Sequence, residues 1–204
     1  DGSFVITKNP LKREKIYNCE DAFIEGYQVG SACGKLYLRK MLESNDIRFR
    51  TDIVFGEDSY FSFQVLLKCR RIMDSDVCAY VYAANPQSVT RSTYRLRDKE
   101  IRRCEDSLQL IKLVSQQLED KTISDRFRKY LKNFASSLYL GFLMSLIGNK
   151  NFSYRDARNL ISKAKSIHLY PNEVASSNLV KAMIMHVLNI EFILNLVLRL
   201  KLNS

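Results

Sequence analysis

The apolar residues from Arg95 onward recur at helical spacings. Two stripes predict two core-facing helices, one with Ile101, Leu108, Ile111 and Leu118 and the other with Phe127, Leu131, Phe134, Leu138 and Phe142. Breaks between helices are expected near residues 119–122, 148–152 and 170–172. The pattern therefore predicts a bundle of helices in the second part of the chain.

Two predicted helix caps and one long apolar run concern the C-terminal part of this bundle. Ser153 and Asp156 have the spacing of a capping box, and Asn172 or Ser176 is expected to cap the last long helix. Residues 178–201 are the most apolar stretch, yet the run is interrupted by Lys181, His186, Asn189, Glu191 and Asn195. A spanning helix needs about 20 nearly uninterrupted apolar residues. We expect a helix packed in the bundle, with a helix in a membrane interface as the alternative.

The first part of the chain changes its hydrophobic period often. Residues 3–7 alternate like a strand, whereas residues 13–27 and 35–44 have amphipathic helical patterns. Residues 52–55 are strand-like and precede a long apolar helix, and residues 77–83 are rich in aromatic and β-branched residues typical of a strand. The fold class is therefore predicted to be α+β and predominantly helical.

Charge separates the two parts of the chain. The 204 residues carry a net charge of +10. Residues 1–94 hold 13 basic and 12 acidic residues, and residues 95–204 hold 19 and 10, so nearly all the excess lies in the second part. We predict two domains with these bounds. A basic domain favours an anionic partner such as membrane lipid, a phosphate-bearing substrate or nucleic acid, although a solvated basic surface is the commoner explanation.

The number and spacing of the cysteines and histidines bear on two classes of site, disulfide bonds and zinc sites. The five cysteines are an odd number without a CxxC pair, which favours a reducing compartment. His168 and His186 have no Cys or acidic residue at a ligand spacing, so a zinc site is not expected. The chain begins at Asp1, without Met or a secretory signal pattern, and we expect a fragment that lacks its N-terminal portion.

Glu57 and Asp58 are the most informative pair of polar residues. Acids in the first turn of a helix interact favourably with its dipole, and Gly56 suits a sharp turn into the helix. From the residues alone this structural interpretation is favoured. A carboxylate held at the end of a strand could instead accept a proton from an incoming hydroxyl.

Two other motifs carry weaker signals. Asp74 and Asp76 have the spacing with which two carboxylates hold a metal against a diphosphate, but Asp and Ser are also common turn residues. Residues 31–37 include Gly34 and Lys35 but lack the spacing of a P-loop, and no Ser, His and Asp triad is evident. A nucleotide triphosphatase is therefore not supported.

Four motifs follow one another in residues 31–91. They are a Lys-Leu-Tyr helix start, a Phe before a short strand, a Glu-Asp pair opening an apolar helix, and a Tyr-x-Tyr strand ending in a Ser-x-Thr turn. They correspond to Lys35, Leu36 and Tyr37; Phe49; Glu57 and Asp58; Tyr80 and Tyr82; Ser88 and Thr90. This order of motifs resembles the acceptor-side half of inverting glycosyltransferases of family 2, which have the GT-A fold, especially bacterial enzymes that build surface polysaccharides.

The resemblance implies a partial GT-A α/β unit in residues 1–94. Asp58 would be the general base that takes the proton of an acceptor sugar hydroxyl, and Glu57 would orient the acceptor or the base. Lys35, Tyr82, Ser88 and Arg91 would bind substrate. The partners implied are a nucleotide-sugar donor and a glycan or lipid-linked acceptor.

The resemblance also implies parts that this sequence does not contain. Nothing before residue 31 fits the family's nucleotide-binding half with its metal-binding DxD, and residues 74–76 come after the Glu-Asp pair, in the wrong order. This chain alone is expected to be inactive, and the full-length enzyme is expected to need Mg²⁺ or Mn²⁺. We expect a cytoplasmic location, with peripheral attachment to the inner face of the plasma membrane as an option.

Two rival classes remain open from the sequence. One is a non-enzymatic module whose basic helices bind nucleic acid, although no helix-turn-helix, zinc finger or aromatic-interleaved basic strand is evident, so nucleic acid is not an expected partner. The other is a purely structural or membrane-recruiting helical protein.

Overall fold

A computed structural model describes residues 11–12, 14–75, 80, 97–172, 176 and 178–202. Within them the chain forms eight helices and one two-stranded antiparallel sheet, which confirms the predominantly helical α+β class. The strands are β1 (Ile16–Tyr17) and β2 (Ile72–Met73), and the helices are α1 (Cys19–Ile24), α2 (Arg39–Ser44), α3 (Glu57–Lys68), α4 (Arg97–Leu118), α5 (Asp125–Gly148), α6 (Tyr154–Ser166), α7 (Leu179–Asn189) and α8 (Glu191–Leu202).

The chain divides into two compact units. The first unit comprises Asp1–Arg50 and Glu57–Ala83, and the second comprises Thr51–Gly56 and Ala84–Ser204. The sequence predicts a transferase half at 1–94 and a basic helical domain at 95–204. Because that division also assigns a function to each part, it stays a prediction.

The first unit is built from short elements around α3. Ile16 pairs with Met73 and Tyr17 with Ile72. Phe61 and Val65 of α3 pack with Ile47, and Phe63 meets Phe23 edge-to-face with ring centroids 6.3 Å apart. The unit thus has several small apolar clusters.

The predicted helices of the first unit are shorter than expected. The helix expected over 13–27 is reduced to α1, because β1 precedes it, the Asn18 side chain caps it and Gly26 follows its end with a φ of 96°. The helix expected over 35–44 begins only at Arg39. The strand predicted over 3–7 lies outside the described residues, as does that over 77–83 except for Tyr80.

The second unit is a helical bundle with one large core. Packing of α4, α5, α6 and α8 buries residues from all four helices, among them Leu108, Leu143, Leu160 and Leu198. The predicted breaks at 119–122 and 148–152 are confirmed, since α4 ends at Leu118 and α5 at Gly148. The predicted capping box is also confirmed, because the Ser153 and Asp156 side chains each accept the other's backbone N–H.

The last apolar stretch is two helices instead of one. α7 and α8 meet with a bend of 90° after Asn189. The Asn189 side chain accepts a hydrogen bond from the Tyr139 hydroxyl (2.9 Å) and donates one to the Asn172 carbonyl (2.8 Å), which fixes the chain at the bend. The predicted caps Asn172 and Ser176 are wrong, because the Asn178 side chain accepts from Lys181 N and caps α7.

No single helix of the described ranges is long and apolar enough to cross a membrane. The bent pair α7 and α8 passes the same test of length and composition when its two helices are taken together.

Candidate functional site

Glu57 and Asp58 occupy the first turn of α3, in the first unit. Gly56, just before them, has a φ of 81°, a backbone conformation that favours glycine. Both acids are partly buried. Among the described residues neither carboxylate forms a hydrogen bond or an ion pair.

The strand predicted before this pair is not formed. Residues 51–56 are turns and irregular chain of the second unit, because their backbone groups bind α4 instead of a neighbouring strand. The N–H groups of Val54 and Phe55 donate to Asp106 Oδ2 at 2.9 and 3.0 Å. The Arg102 guanidinium donates to the Asp52 carbonyl.

Asp106 is the centre of this attachment. Its side chain is 3% exposed and its Oδ1 lies 2.9 Å from Arg102 Nε as an ion pair. Sequence reasoning missed this role, since a lone Asp within a helical pattern gives no signal of a partner about fifty residues away. The buried Asp106 carboxylate therefore fixes the backbone of the segment that leads into α3.

Lys35 lies within electrostatic reach of Asp58. Its ammonium donates to the carbonyls of Gln28 and Ser31 and stands 4.7 Å from the centroid of the Tyr27 ring. Burial lowers the pKa of Lys35, and the charge of Asp58 acts in the opposite direction. Lys35 thus shapes the loop before α2 and places a positive charge near the candidate base.

Tyr37 is a second neighbour of Asp58. Its hydroxyl donates to the Ala32 carbonyl at 3.2 Å. Burial raises the pKa of Tyr37, a hydrogen bond with Ser62 opposes that change, and the Asp58 charge raises the pKa further. Ser62 also donates to the Ser31 carbonyl at 3.1 Å, which ties the loop to α3.

An aromatic cluster completes the surroundings of α3. The Tyr37 ring meets Phe61 edge-to-face at 5.3 Å, and Phe49 stacks on Phe61 with centroids 4.1 Å apart and an interplanar angle of 5°. Phe61 is buried, whereas Phe49 is 49% exposed. Three segments separated in sequence, at Lys35 to Tyr37, at Phe49 and at Glu57 to Phe61, therefore meet in one unit.

Ser31 and Ser62 are polar residues of this arrangement that sequence reasoning missed. Ser31 lay in the loop compared with a P-loop and Ser62 in an apolar helical run. Neither position has a motif that distinguishes it from an ordinary loop or helix serine.

The other predicted site residues divide into two groups. Tyr82, Ser88 and Arg91 lie outside the described residues, so their roles stay predictions. Of the two acids at 74 and 76, only Asp74 is described, and its carbonyl accepts from Glu14 N at 3.3 Å.

A metal site finds no support in the part of the chain that the structure describes. It contains no group of three His, Cys, Asp or Glu residues that could hold an ion. The resemblance places the ligands of the expected Mg²⁺ or Mn²⁺ in the nucleotide-binding half, outside this sequence, so the metal requirement stays a prediction. No chemical step below passes through a metal.

Comparisons with known proteins give one partial likeness. The chain is 35% identical over 60 residues to an uncharacterized glycosyltransferase, EpsJ, of Bacillus subtilis (strain 168), a match that covers 29% of this chain and 17% of that protein. No family model matches the chain, and no solved structure matches it. Over those 60 residues the chain is thus similar to a protein named as a glycosyltransferase.

Proposed function

We propose that this chain is the acceptor-side portion of an inverting glycosyltransferase of family 2, with Asp58 as its general base. The observation that carries the proposal is the state of the Asp58 carboxylate. It is partly buried in the first turn of α3, it forms no hydrogen bond or ion pair among the described residues, and Lys35 and Tyr37 lie within its electrostatic reach.

The likeness to a protein named as a glycosyltransferase supports the same proposal independently. So do the contacts of Phe49 and Tyr37 with Phe61 of α3, because these residues belong to the segments that resemble the family.

The proposed reaction moves one proton and one sugar. The acceptor hydroxyl gives its proton to an Asp58 carboxylate oxygen while the hydroxyl oxygen attacks the anomeric carbon of the donor. The bond from that carbon to the diphosphate oxygen breaks on the opposite face, and the nucleoside diphosphate leaves with the bonding electrons. Attack from the face opposite the leaving group inverts the anomeric configuration.

The other side chains of the proposed site lie within electrostatic reach of the base or adjoin it in the chain. Glu57 lies beside Asp58 in the same turn and is proposed to orient the acceptor. Lys35 and Tyr37 are themselves fixed to the loop carbonyls of Ser31 and Ala32. The predicted substrate contacts of Tyr82, Ser88 and Arg91, a glycan or lipid-linked acceptor, and a role in surface polysaccharide synthesis belong to the same proposal.

Turnover of an Asp58→Asn variant of the full-length protein tests the proposal. Release of nucleoside diphosphate would be followed with a panel of UDP- and GDP-sugars, with a lipid extract of the producing cells as acceptor. We expect turnover to fall by about 10² to 10⁴-fold, the usual contribution of a general base, with unchanged donor affinity. Near-normal turnover, or transfer with retained anomeric configuration, would contradict the proposal.

A further inference from the structure

Helices α7 and α8 expose an unusual amount of apolar surface. Among the described residues 18 large hydrophobic side chains are exposed, and 9 of them lie between residues 179 and 200. A surface helix ordinarily turns a polar face outward, and contiguous exposed apolar surface marks a site of interaction.

On α7 the exposed apolar residues follow the helical period. Leu179, Met183 and Val187 are spaced by four and are 80%, 69% and 44% exposed. Met185 and Leu188 of the same helix are buried in the core of the second unit. α7 therefore has two apolar faces, one packed in the core and one exposed.

α8 repeats this arrangement. Phe192, Leu196 and Leu200 are spaced by four and are 76%, 47% and 68% exposed, whereas Leu194 and Leu198 are buried. We call the exposed residues of both helices the α7–α8 apolar face, represented by Leu179, Met183, Val187, Phe192, Leu196 and Leu200.

The charged residues of these two helices are mostly positive. Residues 178–201 contain Lys181, Arg199 and Lys201 but only one acid, Glu191. That carboxylate is neutralised from α6, because Lys165 Nζ lies 2.7 Å and Arg158 Nη1 3.4 Å from its oxygens. Exposed apolar side chains on helices of net positive charge are the pattern that binds an anionic lipid surface.

We propose that the α7–α8 apolar face attaches the protein to an anionic lipid bilayer, with both helices in the interface. The bend held by Asn189 joins two short helices, each with an exposed apolar face. A second copy of the chain fits less well, since it would bring together two helix pairs of net positive charge in a protein of net charge +10. The proposal does not depend on the transferase function.

A tryptophan reporter tests whether the face enters lipid. The chain has no Trp, so Phe192→Trp introduces a single indole at the face. With phosphatidylglycerol vesicles we expect a blue shift of its emission and quenching by brominated lipid. Tyr130→Trp, on α5 and at a residue 41% exposed, is the matched control and should show neither.

A loss variant tests whether the face drives binding. Leu179→Ser, Met183→Ser and Leu200→Ser together remove three exposed side chains, and we expect vesicle partitioning to fall by about tenfold or more. The control is Leu36→Ser with Leu38→Ser, which are 91% and 72% exposed in the first unit and should bind as the wild type does. Circular dichroism checks that both variants keep their helices.

Replacing Lys181, Arg199 and Lys201 by Gln tests whether the positive charge of the two helices contributes to binding. Binding to phosphatidylglycerol vesicles should weaken, become less sensitive to salt and approach the level seen with phosphatidylcholine alone. The proposal is overturned if the wild type does not bind phosphatidylglycerol vesicles, binds neutral vesicles equally well, or if the loss variant binds as the wild type does. A dimer that the loss variant converts to monomer, without vesicle binding, would assign the face to a second copy instead.

Discussion

The carboxylates of the two units differ in what surrounds them. In the second unit Asp106 accepts two backbone N–H groups and pairs with Arg102, and Asp156 is bonded by Arg97 and Ser153. In the first unit Asp58 is partly buried and forms no such bond among the described residues. Buried charges that stabilise a fold are paired, so the contrast separates structural carboxylates from a candidate catalytic one.

The largest expected effect on stability is that of Asp106→Ala. It leaves the N–H groups of Val54 and Phe55 and the Arg102 charge without their partner, and we expect the free energy of unfolding to fall by about 3 kcal/mol. Chemical denaturation followed by circular dichroism measures it.

Asp106→Asn is the matched control. Both backbone N–H groups donate to the same oxygen, Oδ2, so an amide oxygen there can keep those bonds while the ion pair is lost. We expect the free energy of unfolding to fall less for Asp106→Asn than for Asp106→Ala. Equal losses would show that the stabilisation comes from the ion pair alone and not from the two hydrogen bonds.

Asp156 makes a pH-dependent contribution. The Arg97 guanidinium and the Ser153 hydrogen bonds hold the pKa of Asp156 well below its usual range, despite a raising effect of burial. A lowered folded-state pKa stabilises the fold above the unfolded value of about 4, and this stabilisation is lost as the pH falls below it. Asp156→Asn should therefore lower the melting temperature by a few degrees at pH 7.

The difference between Asp156→Asn and the wild type should shrink as the pH falls below about 4. Asp98→Asn, an exposed acid in the first turn of α4 that lies 3.6 Å from Arg97, is the control and should change melting less than Asp156→Asn does at pH 7. A difference that is the same at pH 7 and in acid would show that the Arg97 pair does not stabilise the fold.

A smaller effect on stability is expected at Asp58. An acid in the first turn of a helix contributes about 0.3–1 kcal/mol through the dipole, and Asp58→Asn removes no hydrogen bond or ion pair among the described residues. In chemical denaturation, the free energy of unfolding of Asp58→Asn should be close to that of Asp125→Asn, the equivalent change in the first turn of α5. A loss as large as that of Asp106→Ala would make Asp58 a structural residue.

The smallest expected effect is on the ionisation of Lys35. Because the Asp58 charge raises the pKa of Lys35 against the larger effect of burial, Asp58→Asn should lower that pKa further. NMR titration of ¹³C-labelled lysine side chains measures it. Glu57→Gln is the control, since Glu57 is not among the groups that shift the pKa of Lys35. If Glu57→Gln changed that pKa as much as Asp58→Asn does, the effect would not be specific to Asp58.

The sequence predicts the second unit better than the first because its signals are local. Helix periodicity and the Ser153 capping box depend on residues within a few positions of each other, and both are confirmed. The bend after Asn189 was missed because Tyr139 and Asn172, which bind that amide, are distant in sequence.

Around the candidate site the missed features are long-range contacts. The segment 52–55 has the apolar pattern of a strand, but Asp106 takes its N–H groups and no strand forms. Lys35 sits in an apparent helix start, yet its bonds to Gln28 and Ser31 belong to the loop. The identity of the acidic pair could be predicted, whereas its surroundings could not.

The most direct test compares sugar transfer by Asp58→Asn and Asp125→Asn in the full-length protein. Both aspartates lie in the first turn of a helix, so a purely structural role would give them similar small effects. We predict that Asp58→Asn loses about 10² to 10⁴-fold in turnover while Asp125→Asn stays close to wild type. Equal turnover in the two variants would contradict the assignment of Asp58 as the base.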